Sequence, residues 1–280
     1  MTYFPRKKAM TFATDLYSTA ELSARHETLN VKAVVWTAFA LRIYEVTMNK
    51  IKLLALDLDG TTLTSKNTLA PAVKSALEKA IENGIIIAIA TGRPLGTMPQ
   101  SILDIEGIDY LITSNGAAIY DRHGKKIYSA TLKENDVLKI LDVMKDEDII
   151  SEAFVDGLTY TDKRYSDNPL AYGCTEAYID YVKASHGHIE DMRKFIFEHK
   201  NELDSIEYIS TDPQTRKRIW TMLENAVDNI FITTSSEHFI ELMDKSATKA
   251  SALSHLANIL GIDMQNTCAC GNADNDADMI

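Results

Sequence analysis

The sequence is poor in cysteine, and its cysteines form no recognisable framework. Only three of its 280 residues are cysteine. Cys268 and Cys270 are separated by one residue within an apolar run, and Cys174 is far from both. Disulfide scaffolds and cysteine metal sites need more of these residues at characteristic spacings. We therefore expect neither, and we expect a reducing, cytoplasmic location.

Positive charge is also scarce. Lysine and arginine together number 29 against 40 aspartates and glutamates, so the formal net charge is −11. A surface of this sign repels the phosphates of nucleic acids and of anionic lipids. We therefore expect neither nucleic acid nor membrane as the main partner. A small anionic substrate would need local positive charge, either from a metal ion or from placed lysines.

Long uninterrupted hydrophobic runs are missing from the start of the chain. An apolar patch at residues 31–46 contains Lys32, Arg42 and Glu45, so it is too short and too charged to span a membrane. The patch also lies too late in the chain for a secretory signal. We expect residues 1–47 to be an extension that the fold does not need, with a natural start at Met48.

What the sequence does contain is a series of short apolar runs that end in small polar loops. The run at 51–56 stops at Asp57 and Asp59, and Gly60 follows. Such a run is typical of a buried parallel strand, and alternation along it places both aspartates on one side. Two carboxylates this close need a cation or a shared proton, and Mg²⁺ suits an all-oxygen site. A plain polar turn explains this motif alone equally well.

Further apolar runs repeat this pattern along the chain. A run at 85–90 ends at Thr91, and another at 110–113 ends just before Asn115. Later, Lys249 stands near the start of a helical apolar stripe, and a last run ends just before Asn272. Strand, helix and strand joined by short links form a parallel crossover. We therefore predict an α/β fold with a doubly wound parallel sheet, whose polar loops meet at one edge.

In the middle of the chain the pattern changes to half-exposed strands and polar helices. The predicted elements are strands at 126–132, 152–160, 205–210 and 229–233 and helices at 135–145, 189–200 and 213–225. They suit an antiparallel sheet with helices on one face. We expect a core of residues 48–125 and 237–280 and an inserted α/β domain at 126–236. His186 and His188 are interpreted as a solvated turn, because no carboxylate or cysteine cluster accompanies them.

In order and spacing, these motifs resemble those of the haloacid dehalogenase superfamily, and in particular its subclass IIB, the Cof-type sugar phosphatases. The resemblance covers residues 48–280. It depends on Asp-Leu-Asp-Gly-Thr at 57–61, Thr-Gly-Arg at 91–93, Ser-Asn-Gly-Ala at 114–117 and the large insert. It implies a Rossmann-like core with an inserted α/β cap of type C2B. It also implies a Mg²⁺-dependent phosphatase of a small phosphorylated metabolite, with sugar phosphates as the usual substrates.

The resemblance further implies a role for each matching residue. Asp57 matches the nucleophile that forms an aspartyl-phosphate, and Asp59 matches the general acid and base. The residues that match phosphate-binding positions are Thr91, Gly92, Asn115, Lys249 and Asn275. The residues that match Mg²⁺-binding positions are Asp57, Asp59 through its backbone carbonyl, Asn272 and Asp276. Without the motifs, Thr91 would be interpreted as a helix N-cap and Lys249 as a surface lysine.

Two departures from the family pattern bear on activity. Asn272 stands where the first aspartate of the last motif is expected, and it removes one negative charge while keeping a carbonyl oxygen. We therefore expect weak Mg²⁺ binding. Family members also continue beyond this motif with another strand and helix, so the sequence resembles a C-terminally truncated member. We expect the loss of that packing to loosen residues 271–276 and lower activity.

Alternatives to a phosphatase stay open at this stage. A phosphomutase of the same subclass shares the motifs. A catalytically impaired homologue would bind a phosphorylated ligand without releasing phosphate. A receiver-like signalling domain also combines acids with a lysine, but its pattern lacks Asp-Leu-Asp-Gly-Thr and the large insert. The oligomeric state is not predicted.

Overall fold

The structure is a computed structural model that describes residues 51–176 and 179–280. The extension predicted at 1–47 lies outside these residues. In chain order the strands are β1 Leu53–Leu56, β2 Ile86–Ala90, β3 Ile108–Thr113, β4 Ala118–Asp121, β5 Lys126–Ser129, β6 Ile150–Val155, β7 Leu158–Asp162, β8 His186–Ile189, β9 Leu203–Ile209, β10 Ile230–Thr233, β11 Phe239–Asp244 and β12 Thr267–Cys270.

The α-helices alternate with these strands. In chain order they are α1 Pro71–Glu82, α2 Gln100–Leu103, α3 Glu134–Val143, α4 Lys163–Asp167, α5 Ile179–Ser185, α6 Met192–Glu198, α7 Pro213–Ala226 and α8 Lys249–Ile259. Within the two described ranges, no helix combines the length and the apolar character needed to cross a membrane.

The first sheet has the order β12-β1-β2-β3-β4-β5. The first four of these strands are parallel, whereas β4 and β5 are antiparallel to their neighbours. α1 packs on one face through Val73 and Leu77, and α8 packs on the other through Leu253 and Leu256. Because both faces are covered, the parallel strands are almost wholly apolar. The predicted α/β fold with a doubly wound parallel sheet is confirmed.

The second sheet has the order β10-β11-β9-β6-β7-β8 and is antiparallel except for the pair β7 and β8. α3, α6 and α7 cover one face, where Ile140, Ile196 and Ile219 are buried. On the opposite face, Met243 packs with Ala117, which directly follows the loop after β3. This opposite face therefore lies against the carboxyl edge of the first sheet.

Two strands lie in a different sheet from the one that the predicted domain boundaries imply. β5, expected in the insert, pairs with β4 in the first sheet. β11, expected in the core, pairs with β9 and β10 in the second sheet. Both are antiparallel strands at a junction, where composition does not tell one sheet from the other. We propose that the inserted unit runs from residue 130 to residue 244.

Two local predictions are wrong. The single strand predicted at 152–160 is the hairpin of β6 and β7, with Asp156 and Gly157 in the turn at φ angles of 48° and 78°. The solvated turn predicted at His186 and His188 is part of strand β8, and the side chain of His186 is only 6% exposed. Pairing with β7 supplies the backbone partners that the sequence pattern did not show.

Candidate active site

Loops with polar side chains meet at the carboxyl edge of the first sheet. Asp57 follows β1, Thr91 follows β2, Asn115 lies in a 3-10 turn after β3, and Asn272 follows β12. Parallel strands that lie side by side end at the same edge, so these four residues are brought together by topology rather than by sequence proximity.

The N-terminus of α8 adds a lysine to this edge. Lys249 is the first residue of the helix, and the Thr248 hydroxyl caps it by accepting a hydrogen bond from the backbone N–H of Ser251. The loop after β3 approaches closely, because a Cβ on Gly116 would lie 2.2 Å from the Thr248 carbonyl oxygen. The φ angle of Gly116 is also 103°, so only glycine suits this position.

Lys249 bridges two carboxylates in the interior of the edge. Its Nζ lies 2.8 Å from Oδ1 of Asp57 and 2.7 Å from Oδ1 of Asp276, and all three side chains are buried. Burial opposes the charge on Lys249, but the two carboxylates outweigh it and raise the pKa of the ammonium. Burial raises the pKa of Asp57 to about 6 although Lys249 acts in the opposite direction. The edge therefore holds a buried cation in direct contact with the candidate nucleophile.

Both oxygens of the Asp276 carboxylate are engaged. Oδ1 accepts from Lys249, while Oδ2 accepts from the backbone N–H groups of Asn272 and Ala273 at 2.9 and 3.0 Å. A Cβ on Gly271 would lie 2.3 Å from Cγ of Asp276, so this packing requires glycine. Asp276 thus fixes the loop after β12 and orients Lys249.

The tip of the Asn272 side chain lies among three oxygen atoms. It is 2.8 Å from the Asp59 carbonyl oxygen, 3.2 Å from Oδ2 of Asp57 and 2.6 Å from Oγ1 of Thr61. With Nδ2 at this tip, the amide donates hydrogen bonds to these oxygens. With Oδ1 at the tip, it accepts from Thr61 and faces the oxygens of Asp57 and Asp59, as ligands around a cation do.

This set of oxygens fits Mg²⁺ in kind and in spacing. Oxygens bound at about 2.0–2.1 Å around an octahedral Mg²⁺ lie about 2.9 Å apart, close to the separations of the Asn272 tip from its neighbours. In the described part of the chain, no three histidine, cysteine or carboxylate side chains are grouped as metal ligands. Among the groups around the Asn272 tip, Asp57 is the one carboxylate, so this set of oxygens carries little negative charge.

A residue that sequence reasoning did not select holds the Asp59 carboxylate. Nε and Nη2 of Arg93 donate to its two oxygens at 2.8 and 2.7 Å, a bidentate pair. Further hydrogen bonds to Oδ1 of Asn67 and the carbonyl of Thr97 fix the guanidinium. The Asp59 side chain is still 47% exposed, so a ligand can reach it. In the sequence, the position of Arg93 in the polar loop that follows β2 was the feature that could have indicated this role.

A chain of hydrogen bonds links the second sheet to this edge. Oε2 of Glu241 accepts from Nδ2 of Asn115 at 2.6 Å, and Oδ1 of Asn115 accepts from Nδ2 of Asn275 at 2.9 Å. Both asparagines were predicted to bind phosphate, but the Asn115 amide bonds Glu241 and Asn275, and Nδ2 of Asn275 bonds Asn115. Sequence reasoning missed Glu241, which was marked only by its charge within an apolar strand.

Thr91 and Gly92 lie in the same group of loops. The Thr91 carbonyl accepts from the backbone N–H of Asn115 at 3.0 Å, and its hydroxyl accepts from the backbone N–H of Arg93 at 3.2 Å. Gly92 packs against the side chain of Asn115. The 3-10 helix that follows is preceded by Pro94, so Thr91 is not a helix cap.

The carboxyl edge of the parallel sheet lies under a second sheet and combines a buried carboxylate, a lysine and a group of oxygens that suits a cation. This combination is typical of α/β enzymes that act on phosphate esters. The family of haloacid dehalogenase-like hydrolases matches residues 54–280. The chain belongs to this family and is a phosphoric monoester hydrolase.

Individual relatives and solved structures agree with the family match. Phosphatase YwpJ of Bacillus subtilis is 30% identical over 248 residues, which cover 82% of this chain and 86% of the relative. The 5-amino-6-(5-phospho-D-ribitylamino)uracil phosphatase YwtE of the same species is 27% identical over 248 residues, covering 82% and 84%. A solved haloacid dehalogenase-like hydrolase from B. subtilis has a TM-score of 0.69 at 28% identity and covers 82% of this chain and 86% of its own.

A more distant structure has the same fold. The subclass IIB sugar phosphatase BT4131 has a TM-score of 0.65 at 19% identity, covering 81% of this chain and 83% of its own. At this identity the likeness concerns the fold, which includes both sheets. The predicted Rossmann-like core with an inserted α/β cap is the fold of this subclass.

Proposed function

We propose that the chain hydrolyses the phosphate monoester of a small metabolite and that Asp57 is the nucleophile. The observation that carries this proposal is the contact of Lys249 with both Asp57 and Asp276 in the interior of the edge. A buried ammonium offsets the repulsion between the carboxylate and the incoming phosphoryl group. Relatives named as phosphatases support the same reaction.

Asp57 and Asp59 divide the chemistry between them. A carboxylate oxygen of Asp57 bonds to phosphorus while the ester P–O bond breaks, and protonated Asp59 gives its proton to the leaving oxygen. Asp59 then takes a proton from water, whose oxygen attacks phosphorus and releases the Asp57 carboxylate. One water is consumed, inorganic phosphate is formed, and Asp59 is protonated again.

The surrounding residues position these acids. Lys249 restricts rotation of the Asp57 carboxylate, and Arg93 orients the carboxylate of Asp59 by two hydrogen bonds. Thr91 and Gly92 would receive the phosphoryl oxygens in the loop after β2, where backbone N–H groups are the natural donors.

Mg²⁺ would be held by Asp57, the backbone carbonyl of Asp59 and Asn272, with Asp276 contributing through water or through the loop that it anchors. When bound, the ion neutralises charge on the phosphoryl oxygens. Asn272 would then present its oxygen to the ion, whereas its amide nitrogen bonds the same neighbours when no ion is there.

Small phosphorylated metabolites are the proposed substrates, with sugar phosphates as the first candidates and the cytoplasm as the location. One relative is named for a phosphoribitylamino uracil and one fold neighbour for sugar phosphates. The second sheet lies over the edge through the bond between Glu241 and Asn115. It would therefore contact the leaving group and exclude water during the first step.

A second candidate function is a phosphate-ligand-binding protein with little turnover. Asn272 favours it, because its amide bonds the oxygens that would otherwise bind Mg²⁺. Such a protein would bind phosphorylated metabolites and release no phosphate.

Phosphate release over a panel of phosphorylated metabolites, with and without Mg²⁺, tests these functions. The proposal expects Mg²⁺-stimulated release that falls at least about a thousandfold in Asp57→Asn. Binding without release supports the second candidate. A sugar phosphate isomer instead of free phosphate would identify a phosphomutase and contradict hydrolysis.

A further inference from the structure

Three glutamates form a row across the face of the second sheet that lies opposite its helices. The strand register pairs Glu241 with Glu207 and Glu207 with Glu152. Directly paired residues on neighbouring strands point to the same face. We call Glu241, Glu207 and Glu152 the acidic row; all three are buried.

The acidic row begins at the catalytic edge and runs away from it. Glu241 bonds Asn115 of the edge and also accepts from the backbone N–H of Ser235 at 2.6 Å. Neighbouring strands lie about 4.8 Å apart, so Glu152 is about 10 Å beyond Glu241. This span suits the body of a leaving group whose phosphate lies at Asp57.

Two polar atoms at the far end of the acidic row have no hydrogen-bond partner. Within the described residues, these buried atoms are Oε1 of Glu152 and Oγ1 of Thr159, whereas the Thr161 hydroxyl contacts the Glu152 carboxyl. Thr161 pairs with Glu152 and Thr159 with Phe154, so both threonines share the face of the acidic row. A buried polar group without a hydrogen-bond partner destabilises the fold. The acidic row can therefore accept further hydrogen bonds from a ligand that carries donor groups.

Positive charge does not compensate these carboxyls. In the described part of the chain, no lysine or arginine forms an ion pair with any member of the acidic row. The groups that face Glu152 include His186, at 3.5 Å, Thr161 and Tyr165. Burial lowers the pKa of His186 to about 4, so it is neutral at pH 7. Burial raises the pKa of Glu152 to about 7 and that of Glu207 well above its ordinary value. A ligand cation would let both ionise.

The acidic row is covered by a small part of the chain. Tyr165 of α4 and Val182 of α5 form a separate apolar cluster with Ile150 and Ile209 of the sheet. A cover held by so few apolar side chains opens at lower free energy than the helix-covered face. Displacement of this cover would admit a ligand to Glu152 and Glu207.

We propose that Glu152 and Glu207 form a leaving-group subsite that selects a protonated amine. The inference rests on the proposed phosphatase function and narrows its substrate class. An ammonium group supplies three donors and the missing charge, whereas a carboxylate or a second phosphate would meet two carboxyls and neutral acceptors. The substrates favoured are phosphate monoesters of amino sugars or amino alcohols over their neutral and acidic analogues.

Three sugar phosphates of similar size test this subsite. We expect kcat/KM for glucosamine 6-phosphate to exceed that for glucose 6-phosphate about tenfold, and that for 6-phosphogluconate to be lower again by about tenfold. Glu152→Gln and Glu207→Gln should each bring the three values together. Glu224→Gln, on the exposed side of α7, is the matched control and should keep the full order.

A second readout does not need turnover. In Asp57→Asn, glucosamine 6-phosphate should raise Tm more than 6-phosphogluconate does, and Glu152→Gln should remove the difference. An equal or reversed order in either assay, or an order that survives both glutamine variants, overturns the subsite. If neither para-nitrophenyl phosphate nor any sugar phosphate is hydrolysed but glucosamine 6-phosphate still raises Tm more than 6-phosphogluconate does, the proposed phosphatase function is wrong and the subsite is supported.

Discussion

The amide of Asn272 occupies the position at which we propose that Mg²⁺ binds. Its tip lies 2.8 Å from the Asp59 carbonyl oxygen and 3.2 Å from Oδ2 of Asp57, close enough to bond both in place of an ion. A carboxylate at this position would add charge to the cation site but would face two acceptor oxygens when no ion is bound. Under this proposal, asparagine at position 272 lowers the affinity for Mg²⁺ and stabilises the metal-free edge.

Asn272→Asp should raise Mg²⁺ affinity by about tenfold or more, because a second formal charge contacts the ion. Isothermal titration with MgCl₂ measures this directly. The same variant should have a lower Tm than wild type without Mg²⁺ and a larger Tm increase with it. Unchanged affinity together with an unchanged metal-free Tm would show that Asn272 does not lie at the cation position.

Arg93 is the residue whose removal should affect Asp59 most. Arg93→Ala leaves the acid without its bidentate partner, and misplacement of this kind costs about a hundredfold in kcat. Arg93→Lys should restore little, because an ammonium cannot make both contacts in one plane. Phosphate-release kinetics give the values. Arg122→Ala, which removes a surface pair with Asp109, serves as the control; equal losses in both alanine variants would refute the role.

At the scale of elements, close packing of loops against α8 sets the position of Lys249. Gly116→Ala places a Cβ 2.2 Å from the Thr248 carbonyl oxygen and should destabilise the fold by several kcal/mol. Gly84→Ala is a matched control, since Gly84 also has a positive φ but has no atom within 4 Å of the added Cβ. It should cost only about 1 kcal/mol. Urea unfolding compares the free energies of unfolding of the two variants. Similar decreases in both would mean that the Thr248 carbonyl moves away from the added Cβ without destabilising the fold.

The elements that the sequence predicts well are those buried on both faces. β1, β2 and β12 appear as continuous apolar runs, so their loops, with Asp57 and Asp276, could be placed at one edge. Lys249 was expected there through the resemblance to the haloacid dehalogenase superfamily. β5 was assigned to the inserted domain and no strand was predicted at the position of β11, because pairing partners distant in sequence decide sheet membership. Arg93 and Glu241 escaped prediction for the same reason, since each acts through a partner that is distant in sequence.

For the whole molecule, the acidic row should make stability depend on pH. The folded state holds protons on Glu152 and Glu207 more tightly than the unfolded chain, whose glutamates have an ordinary pKa of 4.5. For Glu152, this stabilisation is complete below pH 4.5 and is lost as the pH rises to about 7. Between these pH values, loss of the Glu152 proton should lower the free energy of unfolding by about 1 kcal/mol per pH unit.

Denaturant unfolding at about pH 5.5 and pH 8 tests this dependence. Wild type should lose more stability between the two values than Glu152→Gln, whose amide does not titrate. Glu224→Gln should keep the wild-type slope. A slope that is the same in all three proteins would show that Glu152 titrates alike in the folded and unfolded states.

Formation of an aspartyl-phosphate, an acyl phosphate, at Asp57 is the central claim, and mass spectrometry of protein quenched in acid during turnover tests it most directly. The account predicts a phosphoryl group on the peptide that contains Asp57, present with substrate and absent from Asp57→Asn. Continued release of phosphate with that peptide unmodified, or with the modification on another side chain, would contradict it.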